Sequence, residues 1–313
     1  MTESERTVRE RTPEEARLLV RVIAALVVVL VLAGAIMLVA RAWGARPTTL
    51  GAYQGLGSWV DIYDTRAWAD PTAAVKDMAG HGVRTVFVET GNSKSKTAIF
   101  KPQAQAEFVQ AAHARGMRVV AWYLPDMKDV ARDYGRVAQA TDFKTPDGQH
   151  FDSFALDIES TAVTPESARN KALEALSKKI RAHVGAAYPL GAIIPSPVGI
   201  AKQANYWNAF PYASVAKTYD VFVPMGYYTY HGRGAAAATA DTLANVRILR
   251  AQPGCAKVPI HLIGGIAEKS TTAQVQAFAD STAKAGCIGG SLYGWAGTSA
   301  ADWKALRVLT TLK

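Results

Sequence analysis

From about residue 58 the chain alternates between short strand-like runs and helical segments, and it completes eight such rounds. The strand-like runs are 59–63, 85–88, 118–124, 151–160, 190–194, 220–225, 258–263 and 288–293. They are rich in β-branched, aliphatic and aromatic residues, or alternate apolar with polar positions, as strands do. Between them lie helical patterns at 72–79, 103–115, 128–141, 166–183, 203–217, 238–251 and 272–285, with a last one at 299–312. Asp70-Pro71 and Thr164-Pro165-Glu166 are helix starts, while Gly80, Gly116 and Gly286 are stops. Strands separated by helices imply parallel pairing through right-handed crossovers. Eight such units in residues 58–313 predict a (β/α)8 TIM barrel, with no G-x-G-x-x-G after the first strand to favour an open dinucleotide-binding sheet.

The segment before the barrel predicts a membrane anchor. Residues 22–40 carry no charge and are rich in Val, Leu, Ile and Ala. As a helix they span about 28 Å, close to the hydrocarbon thickness of a bilayer. Arg6, Arg9, Arg11, Arg17 and Arg21 lie on the N-terminal side, and fewer basic residues follow. The positive-inside rule then places a tail, residues 1–18, in the cytoplasm, a signal-anchor helix at 19–42 and a linker at 43–57, with the barrel outside the cell membrane. The rival is a cleavable signal peptide with its site near Ala40-Arg41-Ala42. The formal net charge of +9 is spread without a clustered basic stripe, so no nucleic-acid partner is expected.

In a barrel of this kind the active site lies at the C-terminal ends of the strands. Asp61 and Asp64 follow the first strand, Glu89 ends the second, Asp126 follows the third, and Asp157 and Glu159 end the fourth. Tyr227 and Tyr228 follow the sixth, preceded by Met225, and Tyr293 and Trp295 follow the eighth. Carboxylates beside aromatic rings are the composition of a sugar-binding cleft, so a polysaccharide or other glycan is the expected partner. Asp157 and Glu159 sit two residues apart among Phe154, Leu156 and Ile158, which puts both carboxylates on one strand face. A Glu beside a second carboxylate in a partly apolar barrel has its pKa raised, as a general acid requires. The six histidines are scattered, so neither a metal nor another cofactor is expected. No G-x-S-x-G elbow surrounds Ser196. Cys255 and Cys287 precede strands seven and eight, whose N-terminal loops would be neighbours, and a disulfide is expected between them, the alternative being two buried thiols.

On these residues the chain resembles the family 18 glycoside hydrolases, the chitinase-like barrels. The family's fourth-strand motif is Asp-Gly-x-Asp-x-Asp-x-Glu. Residues 152–159 match it at Asp152, Asp157 and Glu159 and depart at Ser153 and Ala155. The family's sixth strand ends Met-x-Tyr-Asp, and here Met225-Gly226-Tyr227 is followed by Tyr228. Trp295 stands where the family closes its sugar subsite with a Trp. The resemblance implies substrate-assisted, retaining hydrolysis of β-linked N-acetylglucosamine polymers. Glu159 would be the general acid, Asp157 would orient the acetamido group, and Tyr227 would hydrogen-bond it. Asp64, Glu89, Asp126, Met225, Tyr228, Tyr293 and Trp295 are the expected substrate-binding residues. Two other readings stay open: a sugar-binding barrel without catalysis, or a hydrolase of another barrel family pairing Glu89 with Asp157 or Glu159.

Overall fold

The computed structural model describes residues 50–204 and 206–313. The expected tail and membrane helix lie outside these residues. Among the described residues no helix is long and apolar enough to cross a membrane.

Eight parallel strands close into a barrel in sequence order. They are β1 (Gly55–Val60), β2 (Thr85–Asn92), β3 (Arg118–Leu124), β4 (Ser153–Asp157), β5 (Leu190–Pro195), β6 (Val221–Met225), β7 (His261–Ile266) and β8 (Gly289–Tyr293). β1 pairs with β8 to complete the ring. Helices cover the outside, among them α1 (Thr65–Ala69), α2 (Pro71–Gly80), α3 (Pro102–His113), α4 (Val130–Thr141) and α5 (Glu166–Val184). The Asp70 side chain caps α2 by accepting from the Ala73 N–H, with Pro71 at the first turn. The single helix expected over 203–217 is replaced by two shorter ones, Pro197–Lys202 and Tyr212–Thr218. Pro211 caps the second of these, and it cannot continue a helix from upstream.

Each strand divides its side chains by parity. Phe154 and Leu156 of β4, with Ile158 just beyond it, join the apolar layer under the helices. Ala155 belongs to a second cluster inside the barrel, with Tyr53, Trp59, Phe87, Val120, Trp122 and Ile193. The barrel floor is filled by Tyr53, which stands on a single turn before β1. Its hydroxyl meets Ser153 Oγ at 2.7 Å and the Phe154 carbonyl at 3.1 Å. This explains the first difference from expectation. β1 starts at Gly55, inside the stretch expected as linker, because the glycines there serve packing: a Cβ on Gly57 would lie 2.8 Å from the Phe87 ring and 2.9 Å from His261. A Cβ on Gly191 of β5 would lie 2.5 Å from the Tyr53 hydroxyl.

Above Tyr53 sits a polar chain. His261 donates from Nδ1 to the Tyr53 carbonyl at 2.9 Å, since a carbonyl can only accept. Burial holds the imidazole pKa down at about 4, against that bond, so the ring is neutral near pH 7. Its Nε2 therefore accepts from Ser291 Oγ at 3.1 Å, and Ser291 Oγ accepts from Trp59 Nε1 at 2.8 Å. Trp59 lies flat on Phe87, with centroids 4.2 Å apart.

The expected disulfide is not formed. Cys255 and Cys287 are both free and buried. Cys255 packs beside the Tyr212 carbonyl, and Cys287 sits near Arg250. Denaturing alkylation without reductant is expected to add two labels per chain in mass spectrometry. Gly191→Ala is expected to destabilise the fold by about 1–3 kcal/mol in urea melts, through overpacking against Tyr53. Gly135→Ala, where nothing lies within 4 Å of the added Cβ, is expected to be neutral or stabilising by about 0.5–1 kcal/mol because it lies within α4.

Candidate active site

The C-terminal mouth of the barrel holds a pocket of about 240 Å³. β1 supplies Trp59, β2 Glu89 and Asn92, β3 Trp122, and β4 Asp157 with Glu159 just beyond it. Met225 of β6, Tyr227 after it, and Tyr293 of β8 complete the wall. Asp157 falls on the inward parity of Ser153 and Ala155, as the period of two requires. Tyr227 takes a left-handed backbone conformation, with φ of 45°, which is uncommon for a residue with a Cβ. Its side chain lines the pocket, while that of the next residue turns away.

Three carboxylates share this pocket, and among the described residues no Lys or Arg lines it. Burial raises the Asp157 pKa well above the ordinary range, and the charges of Glu159 and then Glu89 add to the effect. Burial also raises Glu159. Glu89 is pushed up to about 7 by burial, opposed by N–H donors from Ile62 and Asn92 and helped by Asp61. Those donors hold it firmly: Ile62 N–H to Oε2 at 3.0 Å and Asn92 Nδ2 to Oε1 at 3.1 Å. Asp157 is less satisfied, and its Oδ1 is buried with no protein partner. A cluster of acids that resist ionisation in an aromatic-walled pocket can hold and deliver protons at neutral pH.

The adjoining depression of about 350 Å³ shares Trp59, Tyr63 and Tyr293 with the pocket and adds Asp61, Asp64 and Glu268. Asp61 accepts from the Tyr293 hydroxyl at 2.8 Å. Asp64 spends one oxygen on capping α1, accepting from Ala67 N–H at 3.0 Å. Of the expected site residues, then, Asp157, Glu159, Glu89, Met225, Tyr227 and Tyr293 converge on the pocket, and Asp64 lies beside it.

Three expected binding residues are elsewhere. Asp126 pairs with Arg132 at 2.8 Å and accepts from Lys128 N–H, so it is engaged in the loop leading to α4. Tyr228 is 2% exposed, packs against Phe278 and bonds Ser270 at 3.0 Å, on the helix side of the sheet. Trp295 is buried and donates to Asp77 Oδ2 at 2.8 Å, with the Arg66 guanidinium 4.2 Å over its ring. It closes the gap between β8 and α2 and forms no sugar platform. The aromatic walls come instead from Trp59 and Trp122, which lie within their strands rather than after the strand ends. Stepping back by twos from the strand ends would have marked both as inward-facing. Asp152, the first acid of the motif, is at the opposite end of the barrel. It bonds His113 at 2.9 Å, Arg118 at 2.8 Å and Val119 N–H at 2.8 Å. Burial opposes its ionisation, and these partners outweigh burial to hold its pKa below the usual range.

No protein-family model matches the chain, and no curated protein matches it in sequence. Solved structures share its barrel. A chitinase from Chromobacterium violaceum superposes with a TM-score of 0.58 at 13% identity, over 83% of this chain and 100% of that one. An endo-β-1,4-mannanase from Thermotoga petrophila gives 0.63 at 10% identity, over 83% and 76%. The PgaB (BpsB) glycoside hydrolase domain from Bordetella bronchiseptica gives 0.55 at 13% identity, over 83% and 99%. At such identities the likeness is one of fold.

The buried acids make stability pH-dependent. Glu89 binds its proton more tightly folded than unfolded, so the folded state is favoured below about pH 4.5 and loses that advantage as pH rises to about 7. Urea midpoints are expected to fall across this interval. Glu89→Gln is expected to recover roughly 2–3 kcal/mol of the loss at pH 7.5 and little at pH 4.

Proposed function

We propose that the protein is a glycoside hydrolase acting on a β-linked amino-sugar glycan, chitin-like or from a cell wall. The observation that carries this reading is the convergence of Asp157 and Glu159, both with raised pKa values, in an aromatic-walled pocket at the barrel mouth. The fold neighbours include chitinases and other glycoside hydrolases, which agrees with it. Glu159, partly exposed and with burial opposing its ionisation, donates its proton to the glycosidic oxygen. Asp157 accepts from the N–H of the substrate's acetamido group and orients its carbonyl towards the anomeric carbon. The Tyr227 hydroxyl bonds the same group. The apolar segment at 19–42 anchors the chain in the membrane, with the barrel on the extracytoplasmic side.

Glu89 supports a second reading. It lines the same pocket with a pKa of about 7, and it could serve as the acid, with Asp157 or Glu159 as the second carboxylate. Labelled amino-sugar oligomers incubated with the purified full-length protein, Glu159→Gln and Glu89→Gln separate these. Loss of about 10²–10⁴-fold in kcat for Glu159→Gln, with Glu89→Gln far less affected, is the expected result. The reverse order would transfer the acid role to Glu89. Binding without cleavage by all three proteins would mark a sugar-binding barrel. In the active protein, kcat/KM is expected to fall as alkaline pH removes the acid's proton.

A further inference from the structure

Trp122 is 5% exposed and lines the pocket, yet its indole N–H has no partner among the described residues. Buried N–H groups are nearly always paired, and an indole can only donate. Four of the other buried tryptophans among the described residues differ in this: Trp59, Trp68, Trp207 and Trp295 each donate to a named oxygen. Trp122 is in register with Glu89 on one side and Ala155 on the other. The motif that the fourth strand resembles would place an acid at 155, beside the indole. Alanine there offers no acceptor, which leaves the donor to a ligand. In the same pocket Asp157 Oδ1 is an acceptor, likewise buried and unpartnered.

We propose that Trp122 is a substrate-binding, specificity-determining residue: its indole N–H donates to the acyl carbonyl of the sugar's N-acetyl group, while Asp157 accepts from that group's N–H. A secondary amide presents one acceptor and one donor, the complement of the two unpartnered protein atoms. Ile193, Met225 and Ile263 line the same pocket and give the acyl methyl an apolar contact. This assignment rests on the amino-sugar reading above and deepens it by selecting acylated over free amino sugars.

The test is calorimetric binding of N-acetylglucosamine and glucosamine oligomers to full-length Glu159→Gln, with and without Trp122→Phe, which keeps an aromatic ring and removes the donor. Trp122→Phe is expected to weaken the acetylated oligomer about tenfold, the worth of one neutral hydrogen bond, and to leave the glucosamine oligomer within twofold. Where Phe at 122 disturbs the circular dichroism spectrum, benzothienylalanine at 122, with sulfur in place of the N–H on the same two rings, provides the comparison. In the cleaving parent, the substitution is expected to lower kcat/KM for the acetylated oligomer about tenfold. Unchanged affinity for the acetylated oligomer, or equal losses on both oligomers, overturns the assignment. Binding as expected with no cleavage by the parent overturns the hydrolase reading and leaves the Trp122 role standing. No binding of the acetylated oligomer overturns both.

Discussion

The filling of the barrel interior is the constraint on which the rest of the structure depends. Eight parallel strands enclose a space just wide enough for side chains to occupy. Here the lowest level is taken by Tyr53, which enters from outside the strands and bonds Ser153 and the Phe154 carbonyl. Its bulk forces glycine at 191 and at 289, where an added Cβ would collide with the tyrosine side chain or its carbonyl. The next level is closed by neutral His261, Ser291 and Trp59, with every polar hydrogen of the chain assigned. Both lower levels are satisfied and full, and two buried polar atoms without a partner among the described residues, Trp122 Nε1 and Asp157 Oδ1, stand above them at the mouth.

That arrangement gives the mouth its chemistry. Glu89, Asp157 and Glu159 converge with no lysine or arginine among the described residues that line their pocket. Burial and mutual repulsion work against ionisation, and the fold tolerates the cost because the surrounding shell is rigid. Trp59 is stacked on Phe87, and Glu89 is clamped by a backbone N–H and an Asn92 amide. Asp157, by contrast, is left open on one oxygen, as a group meant for a ligand would be.

The legibility of the chain varied with how local each signal was. The alternation of strands and helices needed only neighbouring residues, and β3 came out at 118–124 as expected. The fourth-strand motif was legible as a string but not as a unit. Its first acid, Asp152, braces the bottom of the barrel through His113 and Arg118, while Asp157 and Glu159 reach the top. Five residues of strand separate the two ends by roughly 16 Å. Tyr227 and Tyr228 were indistinguishable in sequence, yet a left-handed residue at 227 sends one ring into the pocket and the other behind the sheet. Cys255 and Cys287 precede neighbouring strands, yet both are free thiols, because adjacency in the strand order does not by itself supply disulfide geometry.

By itself, then, the sequence determined the periodicities: the alternation of strands and helices, the shared face of Asp157 and Glu159, and which acids stand near strand ends. Those depend on bonded geometry that repeats every two or 3.6 residues. Only the tertiary structure decided which of the rim side chains meet. Asp126 and Trp295 lie at strand ends in sequence, yet Arg132 and Asp77 draw them elsewhere. Trp59 and Trp122 were hidden within strands and became the walls of the site. Convergence is set by register between strands distant in sequence and by competition for hydrogen-bond partners across loops, and neither is carried by any single stretch of the chain.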